Sequence, residues 1–184
     1  PLLVFALNTG FREGELLALS KSGIMTVDGR RAYHVYETVS TVKNRDKDAS
    51  TKTKRILTAP KYPRSVRTVP LNKEAEYCLD LMLGYYETST VRDDLIVTTK
   101  TGLLPTARNI QLTLDRILKR AGLPHYGTHA LRHTFATRLL RKTQNHQELK
   151  AVAELLGDDY KVVVKTYLHT EEQGKGGLVD LLTA

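Results

Sequence analysis

Hydrophobic positions along this chain follow two rhythms, and the change from one to the other divides it. Residues 2–7 form an almost unbroken apolar run, read as a buried helix that Asn8-Thr9-Gly10 breaks. Residues 12–19 restart a short helix, with Asn8 or Thr9 available as its cap. Asp28-Gly29 marks a turn. Residues 32–39 are rich in β-branched and aromatic side chains and predict a strand. Residues 43–50 are a polar loop, and residues 54–59 and 65–69 predict two further strands joined by a turn at residues 60–64. Beyond Pro70 the helical period takes over. Ala75, Leu79 and Met82 recur on one face of residues 73–86, and Ile110, Leu114, Ile117 and Leu118 on one face of residues 105–121. Residues 95–97 predict a short buried strand between those two helices. Further helices are expected from His129 to about Lys142, over 147–156 with Gly157 as the stop, and over 161–168. A glycine-rich link at 173–177 precedes an apolar tail at 178–182. The expected fold is α+β: mainly helical, with a small antiparallel three-stranded sheet at one edge.

At 184 residues the chain fits a single domain. No apolar run is long enough to span a membrane. The single Cys78 rules out an intramolecular disulfide, and the cytoplasm is the expected compartment. The net charge is +8 with a pI near 9.6, and its distribution says more than its total. Ten Lys and Arg but only two acids lie between Thr41 and Lys73, so this sheet region carries the whole excess. That points to a polyanion, nucleic acid before others, with Lys43, Arg45, Lys52, Lys54, Arg55, Arg64 and Arg67 as candidate backbone contacts.

Four places carry residues suited to phosphate chemistry. His129 and Arg132 stand three apart, which on a helix sets an imidazole and a guanidinium side by side. Leu131, Phe135 and Leu139 fall on a different face that would pack inward. Arg12 follows a glycine turn at a helix start, with Glu15 one turn on; the pair could bind an anion or merely stabilise the turn. Lys61 sits at the predicted turn between prolines, where it could donate a proton, contact phosphate or simply face solvent. Tyr167 is either a nucleophile whose phenolate is favoured by nearby cations or one more core aromatic. His125, His129 and His133 recur every four residues, but no further ligand completes a zinc set, so no metal site is expected. Phosphate-loop and serine-elbow signatures are absent from the sequence.

In order, these residues resemble the tyrosine recombinases, the phage-integrase-like enzymes that break and rejoin DNA. The matching pieces are Thr-Gly-x-Arg-x-x-Glu-Leu from Thr9, Pro-Lys at Pro60 ahead of Ser-Val-Arg-Thr-Val-Pro-Leu, His-x-Leu-Arg-His-Thr-Phe-Ala-Thr from His129, Glu-Leu-Leu-Gly from Glu154, and Tyr167-Leu168-His169. The resemblance implies a catalytic domain over residues 1–184 whose DNA-binding domains would lie upstream. It implies that Arg12 and Arg132 clamp the scissile phosphate, that Tyr167 attacks phosphorus, that Lys61 protonates the leaving 5′-oxygen and that His129 assists proton transfer. A 3′-phosphotyrosyl intermediate would store the bond energy, so neither metal nor ATP nor any other cofactor would be needed. The implied partner is double-stranded DNA, bound by a homo-tetramer on paired sites of a phage or mobile element. The tail from 174 to 184 would dock on a neighbouring protomer, or else fold back in cis or stay disordered.

One position departs from the family pattern. Asp158 stands where the family usually has His or Trp. An ionised carboxylate would repel phosphate, so Asp158 must be protonated, turned away, or bonded to Arg132 or Lys161. Two rival readings stay open: a type IB topoisomerase with the same tyrosine chemistry, and a non-catalytic DNA-binding module with a decayed site.

Overall fold

The computed structural model describes residues 1–46, 50–85 and 90–171, with side chains through Lys165. Helix α1 (Leu2–Thr9) ends on Gly10, whose φ of 66° is the left-handed conformation that glycine adopts without a Cβ clash. The short α2 (Glu13–Leu17) follows at once. Its cap differs from the expected one. Asn8 and Thr9 turn back to bond the carbonyls of Val4 and Phe5, and Arg12 takes the N-cap place, its backbone N–H donating to the Glu15 carboxylate.

Among the described residues five strands follow, in two sheets rather than one. β1 (Ile24–Val27), β2 (Arg30–Val35) and β5 (Arg67–Pro70) form an antiparallel three-stranded sheet in the order β1-β2-β5. β3 (Thr38–Lys43) and β4 (Thr53–Thr58) form a separate two-stranded ribbon. The strand expected over residues 32–39 is thus split at Tyr36-Glu37. Both side chains there are tied sideways: the Tyr36 hydroxyl lies 3.1 Å from Ser20 Oγ, and Glu37 accepts from Arg92 at 3.0 Å. That anchoring bends the chain out of one sheet and into the other. β1 was not expected, because its exposed face breaks the alternation that marks a half-buried strand. Residues 95–97 are buried but contribute only the single bridge of Leu95 to Ser20. Their apolar run reflects core position rather than sheet membership.

The remaining helices are α3 (Lys73–Tyr85), α4 (Ala107–Arg120), α5 (His129–Leu140), α6 (His146–Leu156) and α7 (Tyr160–Glu171). Among the described residues two apolar clusters hold them. The larger joins Phe5, Phe11, Leu16, Tyr33, Leu79 and Ile96 across α1, α2, β2 and α3, with Phe11 edge-on to both Phe5 and Tyr33 at 5.5 Å. The smaller joins Leu140, Leu149, Val152, Leu156 and Val163 of α5, α6 and α7. Leu131 belongs to the first cluster, while Phe135 and Leu139 pack against the second, so α5 ties the two together, as does α6 through Leu155. The expected tail at 178–182 lies outside the described residues, and among those described no helix is long and apolar enough to cross a membrane.

Candidate active site

α2 and the end of α6 meet on one side of β5, and there three arginines and two carboxylates interlock. Glu15 is 4% exposed and accepts from Arg67 through both of that side chain's Nη groups, at 3.0 and 2.9 Å. It also accepts from the Arg12 backbone N–H at 2.8 Å and from Arg12 Nη1 at 2.9 Å. Burial alone would push its carboxyl upward. The Arg67 fork and the Arg12 bonds outweigh burial and hold it below the ordinary glutamate range. Arg12 is thereby aimed. Its Nη2 reaches on to the Gly157 carbonyl at 2.8 Å, and Nη1 to the buried Ser65 hydroxyl at 3.2 Å.

Arg67 corrects an expectation. Placed by sequence among the DNA-facing cations, it is 8% exposed and also donates Nε to the Leu155 carbonyl at 2.7 Å. The signal for this was present: Arg67 shares a strand face with the buried Val69, two residues on.

Arg132 comes from α5 and is 5% exposed. Its Nη1 donates to the Gly10 carbonyl at 2.7 Å and its Nη2 to the Leu156 carbonyl at 2.7 Å. The left-handed turn at Gly10 is what points that carbonyl at α5, and a Cβ there would meet the Phe135 ring at 2.3 Å. Burial, ahead of any charge, lowers the pKa of this guanidinium from its ordinary value. Arg12 and Arg132 then converge on one group. Asp158 Oδ1 lies 2.7 Å from Arg12 Nη2, and Asp158 Oδ2 lies 2.6 Å from Arg132 Nη2. Of the arrangements the sequence left open for Asp158, the structure has the bond to Arg132, with Arg12 rather than Lys161 as the second partner.

His129 faces a cavity of about 210 Å³ that Arg12, Arg132, His133 and Asp158 also line. The imidazole keeps an exposed edge, but lost hydration on its inner side, then the neighbouring His133 and Arg132, lower its pKa from the ordinary value. His133, weighed in the sequence only as one of three evenly spaced histidines, lies edge-on to His129 with ring centroids 4.6 Å apart. His125 precedes α5 and pairs instead with Asp115 at 2.9 Å, so the three histidines do not line up on one helix.

Lys61 lies in the crossover from the ribbon to the three-stranded sheet, not at a hairpin tip, because β4 pairs with β3 and β5 with β2. It is exposed, 5.3 Å over the ring of Tyr62, whose side chain lines a second opening beside Arg12 and Asp158. Tyr167 falls within α7, one turn beyond Val163; its side chain lies outside the described residues. Lys43, Lys54 and Arg55 are exposed on the ribbon, with Arg45 and Lys52 exposed just past its open end. Arg64 is exposed and ion-paired with Asp159.

The sequence profile of the phage integrase family matches residues 2–173. The chain is 31% identical over 194 aligned positions to a XerC-like tyrosine recombinase of Caldanaerobacter subterraneus subsp. tengcongensis, which takes in 98% of this chain and 48% of the relative. It is 35% identical over 108 positions to the tyrosine recombinase XerC of Yersinia pestis, covering 58% of this chain and 35% of that protein. The chain thus spans less than half the length of these relatives. Among solved structures, the Tn1549 transposon integrase in complex with transposon right end DNA superposes with a TM-score of 0.75 at 22% identity, covering 99% of this chain and 58% of that one. The XerH site-specific recombinase bound to its difH substrate gives 0.64 at 24% identity, covering 95% of this chain and 43% of that one. These two share the fold. On the profile match across nearly its whole length, this chain belongs to the phage integrase family.

Proposed function

We propose that this chain is the catalytic domain of a site-specific DNA recombinase or integrase that cuts and rejoins strands through Tyr167. One observation carries the reading: two guanidiniums distant in sequence, Arg12 and Arg132, converge on the two oxygens of a single anion beside His129. Planar forks held this way suit the non-bridging oxygens of a phosphodiester, and they suit still better the extra negative charge of a five-coordinate transition state. In the reaction, the Tyr167 oxygen attacks phosphorus and gives up its proton, and the bond from phosphorus to the 5′-oxygen breaks. The leaving oxygen takes a proton from Lys61 and departs as a 5′-hydroxyl. The 3′-phosphotyrosyl bond keeps the energy of the broken phosphodiester, so the reverse attack reseals the strand. His129, with its lowered pKa, is neutral and able to accept a proton near pH 7.

Double-stranded DNA is the proposed substrate. The exposed cations Lys43, Arg45, Lys52, Lys54 and Arg55 of the ribbon region would follow its backbone, and Arg64 would do so after releasing Asp159. The Tn1549 and XerH relatives were solved on DNA, which supports that partner. Four copies on paired sites would carry out the exchange.

A nicked suicide duplex tests the reading. A covalent adduct that Tyr167→Phe abolishes supports it, as does a drop of about 10²–10³ in adduct rate on replacing Arg12 or Arg132 by Ala. Tight DNA binding with no adduct would favour a binding module. Relaxation of supercoiled DNA by a single copy without paired sites would favour a type IB topoisomerase.

A further inference from the structure

Asp158 stands at the centre of the site without being needed to build it. Arg12 is already held by Glu15, Ser65 and the Gly157 carbonyl. Arg132 is already held by the Gly10 and Leu156 carbonyls. Deleting the Asp158 carboxylate would leave both guanidiniums pointing where they point now. What it does instead is take a second contact on the Nη2 of each, beside the carbonyl that Nη2 already bonds, at 2.7 and 2.6 Å, with two oxygens on one central atom. That is the arrangement a phosphodiester's non-bridging oxygens would need.

Charge balance points the same way. The cluster holds the guanidiniums of Arg12, Arg67 and Arg132 against the carboxylates of Glu15 and Asp158. One positive charge is therefore left over. A phosphodiester brings one negative charge and its transition state two. Only with Asp158 moved aside does the cluster match the transition state.

The carboxylate also has a way out. Its backbone is fixed, since Gly157 takes the left-handed cap at φ 62° and the Asp158 N–H donates to Ala153 at 3.1 Å. The side chain is 29% exposed, so rotation about its own two torsions frees it from the arginines. On that outer side lies an opening of about 560 Å³, lined in part by Lys161 and by Arg64 already paired with Asp159, where Lys161 is the cation a displaced carboxylate would meet.

We infer that Asp158 is an internal stand-in for the substrate, a counter-ion that closes the arginine pair until a DNA phosphate displaces it. This deepens the recombinase reading above and rests on it. The device keeps the buried Arg132 guanidinium and the half-buried Arg12 guanidinium neutralised in the free protein and makes phosphate entry a competition.

The test uses inorganic phosphate as probe, with binding to the whole chain measured by calorimetry for the unaltered protein, Asp158→Asn and Asp158→Ala. Tenfold or greater gain in phosphate affinity in either folded variant is the expected result. Equal or weaker phosphate binding in a folded variant overturns the inference. On the suicide duplex, Asp158→Asn should form the Tyr167 adduct at least threefold faster. A tenfold loss with DNA affinity intact would overturn it too, because Asp158 would then assist the chemistry, for instance as a protonated donor. Lack of any Tyr167-dependent adduct in the unaltered chain would count against the recombinase reading alone; the phosphate measurement needs no chemistry and still decides the role of Asp158.

Discussion

Arg67 and Glu15 face each other through a two-pronged contact at 3.0 and 2.9 Å, with 5% and 3% of their side chains exposed. Neither touches the cavity that His129 lines, yet Glu15 is the group that aims Arg12. A buried pair of this kind matters most when half of it is removed, because the remaining charge is left without its partner. Arg67→Met is expected to lower unfolding stability by about 3 kcal/mol. Urea denaturation checks this, and a loss under about 1 kcal/mol would mean that Arg12 alone suffices for Glu15.

The same contact sets an acid sensitivity. Glu15 has its folded pKa held below the ordinary value, so it contributes stability that is complete above about pH 4.3. That contribution is lost as pH falls through the lower folded value. Glu15→Gln should therefore be less stable near neutrality and show a flatter stability profile below pH 5 or so than the unaltered chain. Parallel profiles would assign the acid sensitivity to other carboxylates.

Gly10 joins backbone conformation to the site. It combines φ 66° with a carbonyl that accepts from Arg132 and leaves no room for a Cβ against Phe135. Gly10→Ala adds the left-handed penalty, roughly 1–2 kcal/mol, to an overpacking cost of about 1–3 kcal/mol. A fall in thermal midpoint together with weakened phosphate binding is the expected outcome, read by calorimetry and titration. Stability lost with phosphate affinity unchanged would show that Arg132 does not rely on the Gly10 carbonyl.

His129 should titrate below the ordinary imidazole value, since burial, His133 and Arg132 all oppose its charge. Asp158 works in the opposite direction and raises it. Proton NMR of the imidazole is therefore expected to give a still lower pKa in Asp158→Asn. An unchanged value would mean that the Asp158 charge does not reach the ring.

Along the ribbon, neutralising Lys43 and Lys54 should weaken binding to any duplex and reduce the slope of log K against log salt by about 0.9 for each lost phosphate contact. Fluorescence anisotropy over a salt series measures it. An unchanged slope would place the ribbon away from DNA.

Local pattern alone determined most of the element inventory. Helical periods located α3 to α5, the glycines at 10 and 157 marked the stops of α1 and α6, and the order of Arg12, Lys61, His129, Arg132 and Tyr167 carried the family resemblance. These features are legible because a helix face, a cap or a turn depends on residues within a few positions of one another. What only the tertiary structure decided depends on contacts between distant segments. Arg12 meets Asp158 across 146 positions, and Arg132 meets Gly10 across 122. Strand propensity marked residues 32–39 and 54–59 but could not say that they divide between two sheets, so Lys61 lost its hairpin. Arg67 counted as surface charge until Glu15 was seen opposite it, since burying a guanidinium is tolerable only where a partner from elsewhere in the chain neutralises it. The same holds for Asp158, whose place between two arginines no neighbouring residue announces.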